Sequence, residues 1–204
     1  MSTNRLEAFS DGVIAVAITL LVLELAVPSV QMLHQQHESL ARALGRNWAD
    51  YAAYVVSFLT IGIIWINHHV MIGRLQQVDH LILVQNLLLL MTIGALPFAT
   101  HLIAIYINQP GGAKLAAAVY GGAFLAMALA FATLNWIIMF PKAHFLSDEM
   151  PPERRAKILR RSISGVVPYM IATGLAAVSP YVTLAICAAL AAFYALPIAS
   201  GVGV

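Results

Sequence analysis

Residues 9–27 read FSDGVIAVAITLLVLELAV. From Phe9 to Val27 this run holds only two charges, Asp11 near one end and Glu24 near the other, and Pro28 stops it. A bilayer's ~30 Å hydrocarbon core needs about 20 predominantly apolar residues in a helix, so this stretch reads as a membrane span. The composition extends that reading to the whole chain. Of 204 residues, 61% are hydrophobic, about 124 in all, and only 20 are charged, 11 Lys+Arg and 9 Asp+Glu. A soluble domain holds about 45–50% apolar and about 25% charged residues. A soluble fold, a disordered chain, a nucleic-acid-binding domain and a disulfide-stapled secreted domain are therefore excluded. The lone Cys187 allows neither an internal disulfide nor a CxxC metal site. The first apolar run is too long for a secretory leader and carries no cleavage motif, so it is expected to stay as a span. The formal net charge of +2 says little about partners.

Length, punctuation and charge divide residues 1–204 into one all-α transmembrane domain of six helices. The expected spans are about 9–27, 51–72, 81–107, 115–140, 163–178 and 181–199, with a kink at Pro97 in the third. Ser179-Pro180 makes the last two a tight hairpin, and the 28–50 loop has room for a short interfacial helix over Leu40–Trp48. Small residues from Ala116 to Ala123 in the fourth span, Gly121 and Gly122 among them, suit close helix packing. Eight basic residues fall on the side of the N-terminus: Arg5, Arg74, Lys142, Arg154, Arg155, Lys157, Arg160 and Arg161. Arg42, Arg46 and Lys114 fall on the other. The positive-inside rule then predicts that both termini are cytoplasmic.

Polar groups within membrane helices are costly and are the first candidates for function. One cluster opens the first span: Arg5, Phe9, Ser10 and Asp11. Another closes the second: Trp65, Asn67, His68 and His69. Span counting places both at the cytoplasmic depth. Asp11 can there accept hydrogen bonds from a histidine and lie near Arg5, with Ser10 and Asn67 supplying further donors and acceptors. Three readings stand side by side: a structural latch between helices, a proton relay or pH sensor, and a metal site. Adjacent His68 and His69 diverge by about 100° on a helix, which disfavours a shared ion, and no HExxH spacing occurs.

On the first helix, Gly12, Val16, Thr19, Leu20 and Leu23 fall within one arc of about 100°, with Ser10 and Asp11 pointing away. In a monomer that arc is a packing stripe. In a symmetric oligomer it can line a pore, where narrow apolar rings gate ions by dewetting. Glu24 on its shoulder is either a solvated carboxylate or part of a negative ring that concentrates cations.

Arg5-x-x-x-Phe9-Ser10-Asp11-Gly12, with Ala15, Thr19-Leu20-Leu21 and Leu23-Glu24, resembles the first helix of the bacterial homologues of transmembrane protein 175. That family includes the lysosomal potassium channel of animals. The run Trp65-Ile66-Asn67-His68-His69 is similar to its second-helix motif. The resemblance implies a homotetrameric potassium leak channel in the bacterial inner membrane, with self and membrane lipid as partners. It implies no cofactor beyond permeant potassium. The first helix of each subunit then lines a central pore without a TVGYG filter, and no such sequence occurs here. By position after the motif, the constricting rings correspond to Val16, Leu20 and Leu23, with Thr19 as a hydroxyl layer where a potassium ion sits and Glu24 at the mouth. The innermost position usually carries Ile or Leu in the family and here carries the smaller Val16. The competing reading is a proton-coupled secondary transporter using Asp11 and His68 or His69. It calls for interrupted helices and inverted repeats, and the sequence shows neither clearly. An enzyme is not expected, since Ser10 beside Asp11 lacks a positioned base.

Overall fold

The structure is a computed structural model and describes residues 3–147 and 149–195. It consists of α-helices: α1 Thr3–Leu23, α2 Val30–Gln36, α3 Leu40–Arg46, α4 Trp48–Ile72, α5 His80–Gly94, α6 Leu96–Tyr106, α7 Ala113–Met139, α8 Pro152–Leu175 and α9 Pro180–Ala195. Capping explains several starts. Ser29, Ser39 and Asp79 each accept a hydrogen bond from a backbone N–H in the first turn of α2, α3 and α5. The third expected span is broken at Ala95, two residues before Pro97, so α5 and α6 share one apolar length with a joint.

Several boundaries differ from the sequence reading. The first helix begins six residues before Phe9, at Thr3, and ends at Leu23 rather than Val27. The external loop holds two short helices, not one. The fifth span was expected from residue 163, but α8 starts at Pro152, with Pro at its N-terminus, so Arg154, Arg155, Lys157, Arg160 and Arg161 lie on the helix itself. Clustered charge is as compatible with helix as with loop, and a basic helix that turns apolar halfway satisfies both patterns. Consequently four lengths, not six, are long and apolar enough to cross a membrane among the described residues: Thr3–Leu23, Trp48–Ile72, His80–Tyr106 and Ala113–Met139. The end of the sixth expected span, 196–199, lies outside the described residues.

α7 is the hub, packing against α5, α6, α8 and α9. Tyr120 and Phe124 on α7 are fully buried, and Phe124 stacks on Tyr169 of α8 at 5.5 Å. A buried hydroxyl chain ties three helices. Tyr120 lies 3.2 Å from Ser57 of α4, Ser57 lies 2.8 Å from Thr100 of α6, and Thr100 donates to the Leu96 carbonyl. Directionality then follows: Ser57 donates to Thr100, and Tyr120 to Ser57.

The helix ends group as the loop count predicted. The 73–79 and 140–147 segments pair through Gln76 N–H to Phe145 O and Ser147 N–H to Arg74 O, both 2.8 Å. Lys142 forms an ion pair with Asp79, whose carboxyl is held below its ordinary range by that hydrogen bond and then by the Ile82 N–H. At the opposite end Tyr181 donates to Asn108 at 2.8 Å and stacks on Trp48.

The small residues of α7 serve its crossing with α8. A Cβ at Gly121 would sit 3.0 Å from Thr173 Oγ1 and 3.1 Å from its Cα, whereas one at Gly122 meets nothing within 4 Å. Gly121→Ala is predicted to destabilise the fold by about 1–3 kcal/mol, the cost of overpacking. Gly122→Ala is predicted to stabilise by up to about 1 kcal/mol through helix propensity. Thermal unfolding in detergent, followed by circular dichroism, checks the pair; equal shifts for the two would contradict this crossing.

Candidate functional site: the first helix and its polar anchor

α1 turns one face into the protein and leaves the other open. Leu6, Ser10, Ile14, Ala17 and Leu21, spaced by three and four, are buried. Val16 is 57% exposed, Leu20 42% and Leu23 76%, and Thr19 and Gly12 lie on the same open side. α1 is also the least buried of the four long apolar lengths, at 28% against 39–44%. The arc read from the sequence therefore lies within the wider face, Ala15 and Val22 included, that the other helices of this chain leave open. Phe9 borders it beside a shallow apolar groove with Val13 and Gly94. The Thr19 hydroxyl donates to the Val16 carbonyl at 2.9 Å, which leaves its oxygen lone pairs free to meet a cation.

The buried face is fixed by a directional chain of hydrogen bonds. Ser10 Oγ donates to Leu6 O at 2.8 Å, Asn86 Nδ2 donates to Ser10 Oγ at 2.9 Å, and Asn86 Oδ1 lies 2.7 Å from His68 Nε2. Because the amide oxygen can only accept, His68 Nε2 carries the proton. Ser10, Asn86 and His68 are all fully buried, and the chain joins α1, α5 and α4.

Two further rungs lie beside it. Trp65 Nε1 donates to Asp11 Oδ1 at 2.9 Å, and His69 Nδ1 lies 2.7 Å from Glu7 Oε1. Residues 65 and 69 are one turn apart on α4, as are 11 and 7 on α1. The antiparallel helices thus meet residue for residue. Asp11 was expected to face a histidine and Arg5. It faces the Trp65 indole instead, because the α4 stripe opposite it carries residues 65 and 69, while His68 points a further 100° inward. Arg5 and Phe9 are exposed outside the network, and Arg5 forms no ion pair among the described residues. Asn67 donates to Ile63 O on its own helix and faces a different cavity.

The expectation that His68 and His69 diverge holds, since they take partners on different helices. Glu7, Asp11 and His69 instead bring three ligand atoms within 4.8 Å of one another. Each of the three already satisfies a neighbour, which suits a latch as well as it suits an ion. Glu24 lies just past the end of α1, and its Oε2 is 3.0 Å from His101 Nδ1 of α6. It was read either as free in solvent or as a pore-mouth charge; here it also joins α1 to α6. Glu7, Asn86 and His101 were missed by sequence reading. Asn86 had a signal, the amide pair Gln85-Asn86 inside the apolar run LILVQNLLLLMTIG, and Glu7 sits one turn before Asp11.

A sequence model of the family described as the endosomal/lysosomal potassium channel TMEM175 matches residues 5–97. The chain is 42% identical over 192 residues to a potassium channel of Streptomyces collinus, covering 94% of this chain and 91% of that protein. It is 37% identical over 194 residues to a potassium channel of Chamaesiphon minutus, covering 95% and 94%. The crystal structure of a lysosomal potassium-selective channel TMEM175 homolog from Chamaesiphon minutus superposes with a TM-score of 0.84 at 34% identity, over 98% of both chains.

The anchor predicts unequal roles for two asparagines that look alike in the sequence. Asn86→Ala leaves His68 Nε2 buried without its partner and Ser10 Oγ with only the Leu6 carbonyl. It is expected to cost about 2–4 kcal/mol, about 1–3 kcal/mol for the orphaned imidazole donor and about 1 kcal/mol for the lost hydrogen bond to Ser10. Asn67→Ala loses only a bond to its own helix and is expected to cost under about 1 kcal/mol. Unfolding midpoints in detergent measure both, and similar losses would contradict the chain as drawn.

Proposed function

The chain belongs to the TMEM175 potassium-channel family, and from that premise we propose that it is a potassium-selective leak channel, a homotetramer whose central pore is lined by α1. Members of this family are ion channels, not enzymes. The observation that carries the proposal is the unpartnered apolar face of α1, Val16–Thr19–Leu20–Leu23, held outward by a hydrogen-bonded opposite face. Around a fourfold axis, Val16, Leu20 and Leu23 form apolar rings that exclude water and raise the barrier for a hydrated ion. Thr19 supplies oxygen lone pairs to a potassium ion between them, and no TVGYG filter is used. Glu24 places negative charge at the outer mouth.

In this reading residues 1–204 are one six-helix domain, with four long spans and a shorter hairpin. Ser162–Leu175 of α8 and α9 make that hairpin, and the basic first half of α8 stays at the membrane surface. Both termini face the cytoplasm of a bacterial cell, following the excess of Lys and Arg on the α1 N-terminal end. Membrane lipid surrounds the tetramer.

The carrier alternative gains no specific support. His68 is locked between helices, and the α5–α6 joint at Ala95 lies about 13 Å along the helix from Asn86, away from the ionisable groups.

Two predictions follow from the pore assignment. In liposomes driven by a potassium gradient, Leu23→Ser and Val16→Asn wet their rings and are expected to raise flux several-fold. Val22→Ser, about 100° off the face, is expected to change it little. A flat response along Val13–Leu25 would contradict the pore face. Thr19→Val is expected to lower preference for potassium over sodium more than it lowers total current, measured as a shift in reversal potential under bi-ionic conditions. Unchanged selectivity would remove Thr19 from the ion path.

A further inference from the structure

A cavity of about 430 Å³ lies among α4, α7, α8 and α9, on the far side of α4 from the α1 anchor. This volume is in the range of pockets that take small ligands, about 300–1,000 Å³. Two helical stripes line it, and both change character along their length. On α4 the stripe runs from Thr60 and Ile64 through Asn67 to Arg74, just past the helix end. On α8 it runs from Tyr169 and Gly165 through Ile158 to Arg154 in the first turn, with Arg161 between. Residues 154 and 161, two turns apart, share one face of the helix. The cavity is thus cationic at the end that carries the basic loops and apolar towards mid-depth.

Among the described residues no carboxylate lines the cavity, and Arg74, Arg154 and Arg161 form no ion pair. The Arg74 guanidinium is held below its ordinary range, by burial first and then by the Arg154 charge. Like charges crowded at the mouth of a half-apolar cavity are stabilised by an anion, and arginine binds phosphate through paired N–H donors. The depth matters as much as the charge. From Thr60 to the end of α4 is about 18 Å along the axis, room for a tail and not only a head. Basic pockets between membrane helices at a cytoplasmic surface suit anionic lipid headgroups.

We propose that this cavity is a binding site for an anionic phospholipid, its phosphate held by Arg74, Arg154 and Arg161 and one acyl chain laid between α4 and α8. The proposal rests on the membrane reading above only in placing the arginine end at a bilayer surface. It is tested without ion flux, so failure of the channel assignment leaves the test intact. The full-length protein in detergent is titrated with phosphatidylglycerol, with phosphatidylcholine of the same chains, and with glycerol phosphate. Retention is read by native mass spectrometry. Phosphatidylglycerol is expected to be retained about tenfold better than phosphatidylcholine, and glycerol phosphate not retained. Arg74→Gln and Arg161→Gln are each expected to weaken phosphatidylglycerol retention about tenfold, the loss of one charge-assisted contact. Arg160→Gln, outside the cavity wall, is expected to leave it unchanged. Equal retention of the two lipids, equal retention of glycerol phosphate, or indifference to Arg74→Gln and Arg161→Gln would overturn the site.

Discussion

The Ser10–Asn86–His68 chain fixes the rotation of α1, and the rest of the account depends on that angle. A helix with apolar residues on every side has no hydrophobic preference for one orientation in a bilayer, because lipid and protein interior are equally apolar. Polar groups supply the preference instead. Each orphaned member of a buried network costs free energy, so the chain has one low-energy arrangement. The rungs Asp11–Trp65 and Glu7–His69 fix the axial register, since a slip of one residue along antiparallel helices breaks both. With α1 held in rotation and height, its Val16–Leu20–Leu23 face points away from the subunit. A family signature and an exposed apolar stripe are then two results of one constraint.

Much of this was legible in the sequence because membrane helices are written in length and charge. Four spans, the Pro97 joint and the grouping of basic loops at one end follow from patterns that need no tertiary information. The grouping of Val16, Thr19, Leu20 and Leu23 on one face of α1 was legible from 100° arithmetic, since a straight helix keeps its periodicity, but that this face is open and not packed was not. Partner identity was not legible. Asp11 meets Trp65 rather than a histidine because register between two helices is set by packing, which one sequence does not print. Asn86 sits in an apolar run whose outer neighbours carry no sign of α1. The start of α8 was misplaced because positive charge near a membrane surface is as compatible with helix as with loop. Glu24 ends beside His101 because α1 stops at Leu23, a turn earlier than the hydropathy run.

The two sides of α4 divide the labour. One side carries Trp65, His68 and His69 and holds the first helix. The other carries Asn67 and leads to Arg74 and the basic start of α8. A motif read as one cluster in the sequence thus serves two surfaces. Any ligand seated between α4 and α8 would press on the helix that also sets the angle of α1.

The central claim is that the outward face of α1 surrounds the ion path, and a thiol placed there tests it most directly. A narrow ring of cysteines chelates a soft cation such as cadmium, whereas a cysteine facing lipid or protein does not form a ring. Liposome potassium flux is measured with and without micromolar cadmium for Leu20→Cys and Val22→Cys. The wild type, whose lone Cys187 is buried, is the control. The account predicts block of Leu20→Cys alone. Block of Val22→Cys, or indifference of Leu20→Cys, would contradict it.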